Sequence, residues 1–165
     1  MAQTKLGPNT VNTIGELPAI GSAAPDFILV NNELKEVNLG EFKGKKAVLN
    51  IFPSIDTGVC AASVREFNKR ATALSNTVVL SISKDLPFAF KRFCGAEGID
   101  KVVTLSDFKN KGFSKSYGME LKDGALAGLF ARAIVVIDEA GIVKHTEVVE
   151  AIGQEPDYEA ALKAL

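Results

Sequence analysis

Apolar and polar residues alternate along the chain in a way that divides it into short strands and amphipathic helices. Continuous apolar or β-branched runs at residues 47–52 (AVLNIF) and 77–83 (TVVLSIS) predict two buried strands. Between them apolar residues recur at spacings of four and three, which predicts a helix. Its buried face consists of Cys60, Val64, Phe67, Ala71 and Leu74. A strand, a helix and a second strand in this order form a right-handed unit with parallel strands.

A second helix is predicted after residue 84. Asp85 is the expected N-cap, because Pro87 then falls in the first turn, where proline is favoured. Its apolar face would contain Leu86, Phe90 and Phe93. Gly95 is the expected end of this helix.

Shorter patterns complete the chain. Strands are predicted at 27–30, 36–39 and 102–105, and a short helix or turn at 113–117. Residues 132–149 predict two strands joined as a hairpin at 139–141, and a last helix begins at Pro156. Together these elements predict an α/β fold with a central mixed β-sheet flanked by helices. A thioredoxin-like arrangement fits the order of elements.

The chain contains no internal repeat, low-complexity tract or linker. Its 165 residues therefore predict a single domain over 1–165. Residues 1–25 are rich in glycine and proline, so we expect an N-terminal extension with a hairpin, packed on that domain.

Composition excludes several classes of function. The net charge is -1, from 19 basic and 20 acidic residues, which gives no long-range attraction to nucleic acid or an anionic membrane. The apolar runs are too short to span a bilayer, and no signal-peptide pattern is present, so we expect a cytoplasmic rather than a periplasmic protein. Neither GxxxxGK[ST] nor GxGxxG occurs, and two cysteines with one histidine cannot build a common zinc site. We expect no cofactor and no metal.

Cys60 is the residue with the clearest chemical setting. It lies in the first turn of the helix that follows the strand at 47–52. Unpaired backbone N–H groups and the positive end of the helix dipole both favour its thiolate form there, and the thiolate is the nucleophile. If Thr57 is the N-cap, Cys60 occupies the third helical position, although Asp56 and Ser63 are rival caps.

Cys94 has the opposite setting. It lies near the expected end of the second helix, where the dipole disfavours a thiolate, and Lys91 and Arg92 only partly offset this. Cys60 should therefore react before Cys94. Position alone leaves open that both are ordinary buried cysteines. A CxxC motif is excluded because Thr57 occupies the place of its first cysteine, and the single histidine, His145, is expected to be a plain strand residue.

Three segments resemble one known family. Residues 53–60 (PSIDTGVC) match the peroxiredoxin pattern P-x-x-x-[TS]-x-x-C. The wider stretch NIFPSIDTGVCAASVREFN, with RFCGAEG and ARAIVVID, resembles the bacterial thiol peroxidases, which are atypical two-cysteine peroxiredoxins. The similarity extends over nearly the whole chain, including the closing PDYEAALKAL.

This resemblance implies a role for each matching residue. Cys60 would be the peroxidatic cysteine, which becomes a sulfenic acid, and Cys94 the resolving cysteine, which closes a disulfide within the same chain because the C-terminal arm of typical two-cysteine peroxiredoxins is absent. Pro53 would shield the thiolate from water. Thr57 would direct its hydroxyl toward the sulfur and the peroxide, and Arg132 would hold the thiolate and polarise the O–O bond.

The implied activity is thioredoxin-dependent reduction of hydrogen peroxide and alkyl hydroperoxides, by a homodimer. Phe88, Phe90 and Phe93 flank Cys94 and would line an apolar groove for alkyl substrates, unless they are simply core. Two other functions remain open at this point. One is a redox sensor or relay that oxidises a partner protein, and the other is a catalytically silent thioredoxin-fold binding module.

Overall fold

The computed structural model describes all 165 residues. Nine strands and four α-helices follow one another along the chain. The strands are β1 (Gln3–Leu6), β2 (Asn9–Asn12), β3 (Ile28–Val30), β4 (Glu36–Asn38), β5 (Lys46–Ile51), β6 (Thr77–Ser83), β7 (Val103–Ser106), β8 (Ala133–Ile137) and β9 (Val143–Val148). The helices are α1 (Gly58–Ala71), α2 (Pro87–Glu97), α3 (Phe113–Tyr117) and α4 (Tyr158–Lys163).

The central sheet has seven strands in the order β4-β3-β7-β6-β5-β8-β9. Strands β5, β6 and β7 run parallel, and β8 pairs antiparallel with β5. Strands β8 and β9 form the predicted antiparallel hairpin. The expected mixed sheet is confirmed, and so is the parallel β5-α1-β6 unit.

Each face of this sheet carries its own core, because alternate residues of a strand point to opposite faces. Val48 and Val79 face the layer of helices α1, α2 and α4, in a cluster that contains Cys60. Leu49 and Leu80 face the other way, toward α3 and the segments that precede β5. Cys60 therefore belongs to the core under the three helices.

The N-terminal segment forms the predicted hairpin. Strands β1 and β2 pair antiparallel around Gly7, whose φ of 60° is the left-handed conformation that glycine accommodates. Lys5 donates its N–H to the carbonyl of Glu150 and accepts from the N–H of Ile152, both at 2.9 Å. The hairpin thus pairs with the segment that follows β9.

Helix α2 differs from the prediction at both ends. Its N-cap is Leu86, which is 51% exposed and so does not belong to a buried face, and the Asp85 carboxylate bonds elsewhere. Gly95 remains helical, and the helix ends at Gly98, whose φ of 66° lets its N–H reach the carbonyl of Cys94. The predicted cap and end of this helix were wrong.

The last helix begins two residues later than predicted. Its first residue is Tyr158, not Pro156, and its N-cap is Asp157. The Asp157 carboxylate accepts from the N–H of Ala160 at 3.0 Å. None of the helices is long and apolar enough to cross a membrane.

Candidate active site

The turn between β5 and α1 places Cys60 at the start of a helix. Thr57 has the extended backbone of an N-cap, so Cys60 is the third residue of α1, as the sequence predicted. The Thr57 hydroxyl does not cap the helix. It donates to the carbonyl of Ser54 at 3.0 Å and keeps its lone pairs free to accept.

Cys60 and Arg132 meet although 72 positions separate them in the chain. The Cys60 side chain is fully buried, and Nη2 of Arg132 donates to its sulfur at 3.2 Å. Arg132 immediately precedes β8 and is itself only 1% exposed. A permanently charged guanidinium in contact with the sulfur is a suitable partner for an anionic group at this position.

The backbone carbonyl of Ile152 fixes the orientation of Arg132. Nε and Nη2 both donate to this oxygen, at 3.0 and 2.9 Å. The third nitrogen, Nη1, is buried and has no hydrogen-bond partner. Buried donors without a partner are rare in proteins, so Nη1 has an unused capacity to donate to an oxygen acceptor.

Pro53 and Thr57 occupy opposite ends of the turn before α1. Pro53 is buried, and it brings no N–H that would need a partner there. Thr57 is exposed, so its hydroxyl is open to a molecule arriving from solvent.

The carboxylate of Asp85 binds this same turn, which the sequence did not predict. It accepts from the hydroxyl of Ser54 at 2.8 Å and from the N–H of Ile55 at 2.7 Å. The hydroxyl of Ser83, the last residue of β6, also donates to it. The available signal was a carboxylate just after a parallel strand, at the carboxyl edge of the sheet where sites form.

Cys94 lies in a different environment from Cys60. Both are free thiols, and Cys94 is partly buried with its sulfur 3.9 Å from the hydroxyl oxygen of Thr104 in β7. Thr104 in turn donates to Oδ1 of Asn32 at 2.9 Å. Burial raises the pKa of Cys94, and hydrogen bonding to Thr104 and Asn32 opposes this only in part. Cys94 is therefore a neutral thiol at neutral pH.

The two sulfurs face different strands of the sheet. Cys94 lies against β7, whereas Cys60 contacts the residue before β8. Strands β6 and β5 separate β7 from β8 in the strand order. The contacts of Cys94 with Thr104 and of Cys60 with Arg132 therefore do not bring the two thiols together in this conformation.

Two ion pairs join the segment around Cys60 to helix α2. Arg65 binds Glu97 through two hydrogen bonds of 3.0 and 2.9 Å. Arg92 binds Asp56 at 2.9 Å.

The three phenylalanines of α2 differ in exposure. Phe90 is fully buried and packs edge-on against Phe52 with ring centroids 6.3 Å apart, so in this conformation it belongs to the core and not to the wall of a groove. Phe93 is partly buried beneath the Arg65 guanidinium, 5.5 Å from its ring centroid. Phe88 is 66% exposed. Only Phe88 and Phe93 offer a ring to solvent.

His145 is a strand residue of β9, as predicted. No group of three or more His, Cys, Asp and Glu side chains lies close enough together to hold a metal ion.

Comparison with known proteins identifies the class to which this fold and pocket belong. The Redoxin family model matches residues 19–162. The chain therefore belongs to the Redoxin family.

Relatives within this family are thiol peroxidases. The thiol peroxidases of Mycobacterium tuberculosis and Mycobacterium bovis are 56% identical to this chain over 165 residues, which is 100% of the chain and 99% of each relative. The resemblance seen in the sequence motifs is thereby confirmed.

Solved structures agree on the fold. A peroxiredoxin-like protein from Aquifex aeolicus superimposes with a TM-score of 0.92 at 35% identity, covering 98% of this chain and 95% of that one. A thiol peroxidase from Chromobacterium violaceum gives a TM-score of 0.90 at 23% identity over 98% and 93% of the two chains. The predicted thioredoxin-like α/β fold is confirmed.

Proposed function

We propose that this thiol peroxidase reduces hydroperoxides through the sulfur of Cys60. The observation that carries the proposal is the 3.2 Å contact between Arg132 Nη2 and the buried Cys60 sulfur, at the third position of a helix. The N-terminus of α1 and the guanidinium of Arg132 both act on the Cys60 sulfur, and both favour its anionic form.

In the first step the Cys60 thiolate attacks the terminal oxygen of the hydroperoxide. An S–O bond forms, the O–O bond breaks, and the leaving oxygen takes up a proton to depart as alcohol or water. Nη1 of Arg132, which has no protein partner, is the donor we assign to the peroxide oxygens. The Thr57 hydroxyl accepts from the attacked peroxide, and Pro53 keeps water from the sulfur.

In the second step Cys94 attacks the sulfur of the Cys60 sulfenic acid. A disulfide forms within one chain and water leaves. The two Cα atoms must then lie within about 7 Å of each other. We propose that residues 85–95 and the start of α1 move for this to happen, since the Cys94 sulfur contacts Thr104 of β7 whereas the Cys60 sulfur contacts Arg132. Superimposable reduced and oxidised backbones in both segments would contradict this step.

A thioredoxin-type dithiol then reduces the disulfide and restores both thiols. We propose hydrogen peroxide and alkyl hydroperoxides as substrates, since the exposed ring of Phe88 lies on the helix of Cys94 and offers an apolar contact for an alkyl group. A homodimer acting in the cytoplasm completes the proposal, with the whole chain as one domain.

Peroxide consumption tests this cycle. The wild type, Cys60→Ser and Cys94→Ser are compared with thioredoxin, its reductase and a reduced nicotinamide nucleotide supplied. Cys60→Ser should lose all activity, whereas Cys94→Ser should react once with peroxide and then fail to cycle with thioredoxin. Full activity of Cys60→Ser would rule out the proposed nucleophile. Oxidation of the wild type without turnover would instead indicate a redox relay.

A further inference from the structure

We propose that Asp85 is a positioning residue for the peroxide step. Its carboxylate fixes the turn of residues 53–57, which holds the Thr57 hydroxyl near the start of α1. The inference rests on the proposed function, since it concerns the reaction of Cys60 with peroxide. It assigns Asp85 a role that its place before a helix does not suggest.

The side chain of Asp85 makes all its hydrogen bonds outside its own helix. Leu86, not Asp85, is the N-cap of α2, and no side chain caps that helix. Both oxygens of the carboxylate instead face the turn, where Oδ1 accepts from Ser54 and Oδ2 from the N–H of Ile55. Hydrogen bonds to an ionised acceptor are shorter and stronger than neutral ones, and the 2.7 Å contact with Ile55 fits that class.

A chain of hydrogen bonds continues from Ser54 to Thr57, the residue proposed to contact the peroxide. The carbonyl of Ser54 accepts from both the N–H and the hydroxyl of Thr57, at 3.1 and 3.0 Å. The Thr57 carbonyl then accepts from the N–H of Ala61 at 3.0 Å, in the first turn of α1. Displacement of Ser54 would therefore displace the Thr57 hydroxyl.

Two buried serines hold Asp85 itself in place. Ser83, at the end of β6, donates its hydroxyl to the carboxylate and accepts from the Asp85 N–H at 3.1 Å. Ser106, at the end of β7, donates to the Asp85 carbonyl. Both serines are fully buried at the ends of central strands. The turn is thereby tied through Asp85 to the rigid part of the sheet.

Arg132 reaches Cys60 by a separate route. It is held by the Ile152 carbonyl and shares no hydrogen bond with Asp85, Ser54 or Thr57. Loss of the Asp85 carboxylate should therefore loosen the turn while the guanidinium stays on the sulfur. The rate of Cys60 oxidation by peroxide should therefore fall, since that reaction needs the turn. The rate of Cys60 alkylation should not fall, since that reaction does not need the turn.

The test uses the Cys94→Ser protein as parent, so that only the first step occurs. Two rate constants are measured for Cys60: oxidation by hydrogen peroxide and alkylation by iodoacetamide. Asp85→Ala should slow oxidation about tenfold or more, as small misplacements of reacting groups do, and leave alkylation unchanged or faster. Asp85→Asn should restore part of the oxidation rate, since its amide oxygen can still accept from Ile55 and its amide nitrogen can donate to Ser54.

Asp56→Ala is the matched control, because its exposed carboxylate lies in the same turn but bonds to Arg92. Its oxidation rate should equal that of the parent. An oxidation rate of Asp85→Ala within twofold of the parent would overturn the inference, and so would an equal fall in both rates, which indicates general loosening. If Asp85→Ala does not fold, Ser54→Ala decides by the same two rates. A parent that does not react with peroxide at all would contradict the proposed function instead.

Discussion

The guanidinium of Arg65 holds the carboxylate of Glu97 through two parallel hydrogen bonds, 3.0 and 2.9 Å long. Arg65 lies on α1 with Cys60, and Glu97 lies on α2 with Cys94. The same guanidinium lies over the ring of Phe93, one residue before Cys94. The pair therefore opposes any movement of α2 away from α1.

Weakening this pair should speed disulfide formation. The proposed disulfide step moves Cys94 on α2 toward Cys60. On that proposal, Glu97→Gln is expected to raise the rate of disulfide closure roughly two- to fivefold, the range of exposed ion pairs. Mass spectrometry of samples quenched after one equivalent of peroxide measures that rate. Overoxidation of Cys60 to sulfinic acid should fall correspondingly.

Glu159→Gln is the control for this prediction. It breaks an ion pair with Arg70, which is also on α1, without touching α2. The difference between the two variants should disappear in high salt, which screens exposed charges. Equal closure rates of Glu97→Gln and wild type at low salt would show that this pair does not restrain α2.

Arg132→Lys is expected to lower kcat/KM for peroxide about 100-fold, although it preserves the charge. A lysine has no planar fork, so it cannot bond to the Ile152 carbonyl and the Cys60 sulfur while a further nitrogen faces the peroxide. Losses of this size follow removal of a fixed donor from other active sites. Arg70→Lys, at a partly buried guanidinium that binds Glu66 and Glu159 instead of Cys60, should leave kcat/KM unchanged. A value within threefold of wild type for Arg132→Lys would show that charge alone suffices.

Asp107 should make stability depend on pH in the acid range. It is 1% exposed, Ser114 donates to one oxygen at 2.9 Å, and the other oxygen has no partner. Burial raises the pKa of this carboxyl, Glu120 adds to the rise, and Ser114 and Lys84 oppose it. The folded protein thus binds this proton more tightly than the unfolded chain, whose pKa is about 3.9.

The sign of this effect follows from linkage. As pH falls through the raised folded pKa, protonation stabilises the folded state, and the gain is complete below the unfolded pKa. Asp107→Asn should therefore raise Tm at neutral pH, because the neutral amide avoids the charge that burial disfavours. The difference in Tm from wild type should shrink as the solution is acidified from pH 7 toward pH 4. A difference that is constant with pH would contradict a raised pKa.

Gly118→Ala should destabilise the protein by about 2–5 kcal/mol. Its φ of 72° costs a side chain about 1–2 kcal/mol, and a Cβ there would lie 2.5 Å from backbone atoms of Glu16, which adds about 1–3 kcal/mol of crowding. Gly98→Ala shares the positive φ, 66°, but has open space around it, so it should cost only about 1–2 kcal/mol for the backbone conformation. Urea unfolding measures both. Equal losses of unfolding free energy in the two variants would mean that the segment around Glu16 moves aside freely.

Local patterns were sufficient to predict the element that carries the nucleophile. Apolar spacing predicted α1, because that signal lies within a few residues of Cys60. Three candidate caps, Asp56, Thr57 and Ser63, left the first residue of the helix open, and the structure selects Thr57 by its extended backbone. The contact of Arg132 with Cys60 spans 72 positions, and no periodicity encodes it. Only the resemblance of the motif to a family implied that contact.

The errors at α2 arose where a local rule competed with tertiary contacts. An aspartate before a proline fits an N-cap, but the turn before α1 offers Asp85 the stronger donors Ser54 and Ile55. Two glycines were available to end the helix, and Gly98 ends it because only there does the chain turn left-handed. Neither choice can be read from the residues next to these positions.

The hydrogen bonds of Lys5 link the beginning of the chain to its chemistry. Lys5 pairs with Glu150 and Ile152, and the carbonyl of Ile152 in turn accepts from Arg132. A purification tag fused at Met1, which is 61% exposed, should extend into solvent and leave these bonds intact. Proteolytic trimming past Lys5 would instead release the loop that aims the guanidinium. We therefore expect the first residues of the chain to support activity, and preparations nicked there should lose activity before they lose their fold.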